Sequence, residues 1–244
     1  MWFEIALIGA GVGFLGGLFG KGGSAVATPL LALVGVPPFA AIASPLPATV
    51  PGTLVAADAY RRRGMIPMRT VGWSLTTGLP ATLAGALATR WIDGSTLVVV
   101  TEVILVGIGI RILAFPSSAS EEEGPTDVAP WQLLLVGGLV GVAGGLLANS
   151  GGFLLAPLYL AVARFPIKPA LAASLAVSAI LAIPGTVVHA ALGHIDWTVT
   201  LVIALTAVPA SRMGALVALR TASRRLERTY GAALVILGVT LLIV

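Results

Sequence analysis

The 244-residue chain contains no cysteine. That excludes disulfides, thiolate nucleophiles and any cysteine-ligated metal. Charge is also scarce. Only 10% of the residues are charged, against about 25% in soluble domains. There are only two histidines. No HExxH element, Walker loop or Ser-His-Asp cluster occurs, so metallohydrolase, nucleotide-hydrolase and triad chemistry lack their residues. Gly20-Lys21-Gly22-Gly23-Ser24 is not a phosphate loop, because Gly22 and not Ser or Thr follows the lysine. We expect no enzyme, no cofactor and no metal. The start, Met1-Trp2-Phe3-Glu4, lacks a basic region. It therefore reads as part of a first helix and not as a cleaved signal.

What replaces charge is apolar mass broken by glycine and proline. Hydrophobic residues make up 57%, with 30 Gly and 16 Pro, and the mean hydropathy is +1.03. Apolar runs of spanning length recur, which predicts an all-α polytopic membrane protein. The runs cover 3–19, 39–60, 68–88, 95–115, 131–147, 169–191, 198–219 and 230–244. Pro45, Pro47 and Pro51 are expected to bend or unwind the run 39–60. Two shorter pieces, 25–36 and 153–163, cannot cross about 30 Å of hydrocarbon. The one polar stretch, 116–130, carries Glu121-Glu122-Glu123 and reads as a solvated linker between halves 1–115 and 131–244.

Each short piece follows a glycine-rich break. Gly13, Gly16, Gly17 and Gly20 to Gly23 surround Lys21; Gly141, Gly144, Gly145, Gly151 and Gly152 surround Asn149-Ser150. Gly13 and Gly141 are 128 residues apart, as are Pro29-Leu30 and Pro157-Leu158. Ala43-Ser44 meets Ala173-Ser174 at 130, and Pro80-Ala81 meets Pro209-Ala210 at 129. A near-constant offset over that length identifies a duplication. Paired interrupted helices in two halves point to a transporter site.

Basic residues set the orientation. Arg61-Arg62-Arg63 follows the third segment of the first half, whereas Arg220 to Arg228 follows the fourth segment of the second. If both loops are cytoplasmic, the halves are inverted: each has a broken, re-entrant hairpin plus three spanning helices. The termini then lie in the periplasm and the linker in the cytoplasm. A parallel arrangement with four crossings per half strands one basic cluster on the wrong side. The net charge of +4 reflects these loops and carries no argument for nucleic acid.

Lys21 is the first candidate for an anion site, since a lysine between half-helices is costly unless it functions. The alternative is a cation at an exposed tip or helix end. Half-helices starting near Gly22 and Gly151 would aim N–H groups and positive dipole ends at an anion. Gly23, Gly152, Ser24, Ser44, Asn149, Ser150 and Ser174 complete the candidate set. Arg212 and Glu102 are intramembrane charges: either they pair or reach an interface, or Arg212 contacts the anion and Glu102 carries a proton. His189 reads either as a proton carrier or, favoured, as a hydrogen-bonded helix end. Asp58, before Arg61 and Arg62, reads as an ion pair with proton coupling as the alternative. His194 and Asp196 read as turn and cap.

Together these residues resemble the sulfite exporter TauE/SafE (TSUP) family. The resemblance rests on the glycine-rich stretch from Gly13 (Gly13, Gly16, Gly17, Gly20, Gly22 and Gly23) followed by Pro29-Leu30, its degenerate copy from Gly141 to Leu158, Ser44 to Leu46, Ser174-Leu175 and Gly193-His194-Ile195-Asp196-Trp197. Lys21 and Asn149-Ser150 depart from the family pattern. The resemblance implies export, or in some members uptake, of sulfite, thiosulfate or organosulfonates. Some thiosulfate-importing relatives use intramembrane cysteines, and that mechanism is excluded here. The expected protein is a multi-pass transporter of the bacterial inner membrane, monomeric or homodimeric, with a midplane site, alternating access and proton or potential coupling. A selective anion channel and an accessory subunit without a substrate path are the rivals.

Overall fold

A computed structural model describes residues 1–20, 24–88, 106–107, 110, 113–114, 128–146 and 151–243. All regular secondary structure among them is helical. The first half contributes α1 (Trp2–Phe19), α2 (Ser24–Leu33), α3 (Pro38–Ala43), α4 (Pro45–Arg61) and α5 (Met68–Ala88). The second contributes α6 (Pro130–Leu146), α7 (Gly152–Ala161), α8 (Ile167–Ala191), α9 (Trp197–Arg220) and α10 (Ser223–Ile243). Among the described residues, four stretches are long and apolar enough to cross a membrane: Trp2–Phe19, Phe39–Arg61, Ile167–Ala191 and Trp197–Arg220. The two short pieces, α2 and α7, have 10 residues each, about 15 Å, or half that depth.

Local chemistry explains the boundaries. α1 ends at Gly20, whose φ of 65° is the left-handed cap geometry that glycine adopts without penalty, and its N–H bonds to the Gly16 carbonyl. α9 starts at Asp196, whose carboxylate accepts from the N–H groups of Thr198 (2.8 Å) and Val199 (3.1 Å). The cap reading of Asp196 holds. One expectation holds in part and one needs correction. The run 39–60 is interrupted at Ser44, just before Pro45, while Pro47 and Pro51 lie within the helix that follows. Proline is well placed in a first helical turn, where the missing N–H has no intrahelical partner. The basic stretch 220–228 is also mostly helix. α10 begins at Ser223, and buried Leu226 and Tyr230 extend its inward face four residues apart.

The helices meet at two glycine-lined crossings. α1 lies along α9, with Gly9 against Ile203 and Thr206, Gly13 against Ala207 and Gly17 against Ser211. α6 lies along α5, with Gly137 against Ser74, Gly141 against Gly78 and Gly145 against Thr82. A methyl group added at Gly17 would overlap the Ser211 carbonyl oxygen; one at Gly145 would overlap that of Thr82. The reciprocal contacts match as well, Gly214 against Phe14 and Leu18, Gly85 against Val142 and Leu146. The contacts of Gly9, Gly13 and Gly17 with Ile203, Ala207 and Ser211 recur as those of Gly137, Gly141 and Gly145 with Ser74, Gly78 and Thr82, at offsets of 128 and 129, so the duplication in sequence is also a duplication of packing. In lipid, where apolar surface gains little by leaving the solvent, such close backbone approach is a main source of helix association.

α4 and α9 run side by side in one direction. At their starts, Asp196 N–H donates to Ser44 Oγ (3.0 Å) and Thr200 Oγ1 to the Ser44 carbonyl (2.8 Å). Midway, Ser211 Oγ donates to the Gly52 carbonyl (3.0 Å). At their ends, Arg63 donates to the Leu219 carbonyl (3.3 Å). The last contact brings the two basic stretches to one face. Large apolar residues such as Phe3, Leu33 and Leu205 face outward, the surface that a lipid-embedded protein requires.

The crossings make a specific prediction. Gly13→Ala and Gly141→Ala should each lower thermal stability in detergent, by about 1–3 kcal/mol, because the new methyl meets backbone. Gly11→Ala, at an exposed position with open space around it, should leave stability unchanged or slightly raised. Equal melting temperatures for all three variants would refute the packing.

Candidate functional site

The two glycine breaks converge on one hydroxyl. Ser174 of α8 is fully buried. Its Oγ lies 2.6 Å from the Gly20 carbonyl, where α1 ends, and 3.1 Å from the Gly152 carbonyl, where α7 begins. Leu171, one turn earlier on α8, also packs against Gly20, where an added Cβ would come within 2.9 Å of its Cα. Segments 132 residues apart in sequence therefore share one point of contact. That point lies seven residues into the 25-residue α8, about 10 Å along it. It is off centre along that helix.

The polarity of this junction follows from its helix ends. α1 presents its C-terminal, negative pole; α7 presents its N-terminal, positive pole. Ser174 has one proton, and the shorter contact commits it to the Gly20 carbonyl. Ser174 thus ties off an oxygen that would repel an anion, and it clamps the breaks together. At the other pole, Gly151 adopts φ 68° before α7 and, as a glycine, has no side chain of its own to cap the first turn. Such a helix start is suited to an anionic group.

Other candidates sit elsewhere. Ser44, the repeat counterpart of Ser174, is buried at the start of α9, held by Asp196 and Thr200; it is not brought to the described ends of the breaks. Arg212 lies on the exposed face of α9 with Leu205 and Met213. The inward position belongs to Ser211, one residue away and about 100° around the helix. Lys21, Gly22, Gly23, Asn149, Ser150 and Glu102 lie outside the described residues, as does the side chain of Ser24. The described core of the junction is therefore Gly20, Gly151, Gly152 and Ser174.

Among the proton-coupling candidates, Asp58 is engaged by Arg61 (2.6 Å) and Arg62 (2.7 Å). This is the ion pair that the spacing predicted. His189 and His194 face one another, Nδ1 to Nδ1, at 3.2 Å, and Phe39 stacks on His194 with ring centroids 4.7 Å apart. One ring must donate and the other accept, so the pair holds a helix end to the following turn. This is the hydrogen-bonded role favoured from sequence.

A small cavity of about 30 Å³ lies between α1, α4 and α9, lined in part by Gly13, Gly16, Thr49, Thr53 and Ser211. It has room for a water or two. Its hydroxyls already donate to carbonyls: Thr49 to Pro45, Thr53 to Thr49, Ser211 to Gly52. The cavity is therefore acceptor-rich and too small for an oxyanion. Sequence reasoning missed this cavity and the glycine ladders. The four-residue spacing of Gly9, Gly13 and Gly17, and of Gly137, Gly141 and Gly145, was the available signal.

Comparison with known proteins agrees with this architecture. The family model described as "Sulfite exporter TauE/SafE" matches residues 5–241. A probable membrane transporter protein of Xylella fastidiosa (strain 9a5c) is 27% identical over 98% of this chain and 94% of its own length. A probable membrane transporter protein of the archaeon Methanocaldococcus jannaschii is 22% identical over the same shares. No solved structure matches. The family match spans nearly the whole chain, including both breaks, both crossings and the α8 serine that joins them: this chain belongs to the sulfite exporter TauE/SafE family of membrane transporters.

Proposed function

We propose that the protein is a secondary transporter that exports small sulfur-containing anions, such as sulfite, thiosulfate or organosulfonates, by alternating access. The observation that carries this reading is the convergence of both interrupted helices on Ser174. Broken helices meeting inside the bundle are how transporters present helix ends to a substrate. The family description, a sulfite exporter, supports the substrate class and direction proposed here.

The two halves are arranged as inverted repeats, each with a re-entrant hairpin. Two findings support this. The glycine crossings exchange under the repeat offset. The ends of α4 and α9 share a face, although α4 is the counterpart of α8 and not of α9. With basic loops inside, the linker 116–130 is cytoplasmic and the termini face the periplasm of a bacterial-type inner membrane. Lys21, Ser24, Asn149 and Ser150, on the breaks, complete the anion site with Gly151 and Gly152. Coupling is to protons or to the membrane potential.

Reconstitution in proteoliposomes tests the function. Sulfite or thiosulfate loaded inside should leave with saturable kinetics under an imposed proton gradient, and phosphate and carboxylates should compete more weakly. Non-saturating current would make the protein a channel, and the absence of flux for every anion would sink the transport reading. Topology has a separate test, for which the native chain is already cysteine-free. Single cysteines at Arg62 and Arg224 should be labelled by a membrane-impermeant maleimide from the same side, and one at Trp197 from the opposite side. Labelling of all three from one side would refute the arrangement.

A further inference from the structure

The hydroxyl best placed to donate to the anion is not Ser174 but its neighbour one turn on. We infer that Ser178 of α8 hydrogen-bonds the transported oxyanion directly. This inference rests on the anion-transport reading above and assigns a residue within that site.

The inward stripe of α8 is defined by its contacts. Leu171 packs on Gly20, Ser174 bonds Gly20 and Gly152, Leu181 meets Gly78, and Gly185 meets Leu46. At about 100° per residue, Ser178 points between the directions of Leu171 and Ser174, within that stripe. It is fully buried, and its Oγ has no hydrogen-bond partner. A serine in mid-helix usually returns its proton to the carbonyl four residues back. Thr49, Thr53, Thr82 and Thr186 all do so; Ser178 does not. An orphaned buried hydroxyl is costly, and it calls for a partner outside the protein's own bonds.

The neighbourhood says what kind of partner. Ser174 has already neutralised the α1 carbonyl, so the acceptor nearest the junction is occupied. The start of the 10-residue α7 meets α8 at Ser174, one turn from Ser178. The first-turn amide N–H groups of α7 and the free Ser178 O–H are donors within one turn of each other. A sulfur oxyanion has several acceptor oxygens and can engage both. A cation or an apolar solute satisfies neither.

The test compares anion binding and stability of the full chain in detergent, by calorimetry and thermal unfolding, with sulfite and thiosulfate as probes. Ser178→Ala should weaken anion binding about tenfold or more, as loss of a hydrogen bond to a charged group does. The ligand-free melting temperature should stay the same or rise, because an unpaired hydroxyl has been removed. Ser174→Ala should instead lower the ligand-free melting temperature, because it opens the clamp. Wild-type affinity in Ser178→Ala would overturn the inference while leaving the transport reading standing. A marked drop in its ligand-free melting temperature would also overturn it, since Ser178 would then have a structural partner. Absence of anion binding in the wild type would remove both.

Discussion

Where Gly13 meets Ala207 and Gly141 meets Gly78, no side chain separates the backbones, and the rest of the molecule is built around that closeness. Lipid already solvates apolar side chains, so burying leucine between helices gains little in a bilayer. Fit decides instead. Glycine every fourth residue on α1 and α6 makes a flat groove, and the partner helix lies in it. The fit occurs twice, with corresponding residues at the repeat offset. Each crossing joins the first helix of one half, α1 or α6, to a later helix of the other, α9 or α5.

The site follows from this scaffold. With α1 held against α9 and α6 against α5, the ends of α1 and α6 are fixed by those crossings. Gly20 follows α1 and Gly151 precedes α7, both in left-handed geometry. The start of α7 lies close to α8, where Ser174 Oγ donates to the Gly20 carbonyl and touches the Gly152 carbonyl. A negative helix end is thus masked beside the positive end of α7.

Much of this could be read in the residues before any coordinates. Apolar run lengths gave the helices, the 128–130 offset the duplication, and glycine clusters the breaks. The Asp58 ion pair and the Asp196 cap followed from spacing alone, because helical geometry fixes which neighbours can meet. What escaped was information held between segments. Ser44 and Ser174 are equivalent in sequence, yet one holds the start of α9 and the other joins the breaks. Only the three-dimensional neighbours separate those roles. Arg212 stayed open between an anion contact and an interface charge, because its largely apolar segment leaves the inward face unmarked. Ser178 gave no signal because an unpaired hydroxyl is a property of surroundings and not of sequence.

The central claim is geometric: both breaks meet at a single serine of α8. An electron cryomicroscopy map of the protein in lipid nanodiscs with sulfite present measures it directly. The account predicts the Gly20 and Gly152 carbonyls both within hydrogen-bonding distance of Ser174 Oγ, with anion density against the first turn of α7. Breaks separated by more than about 10 Å, the width of an intervening helix, would contradict it.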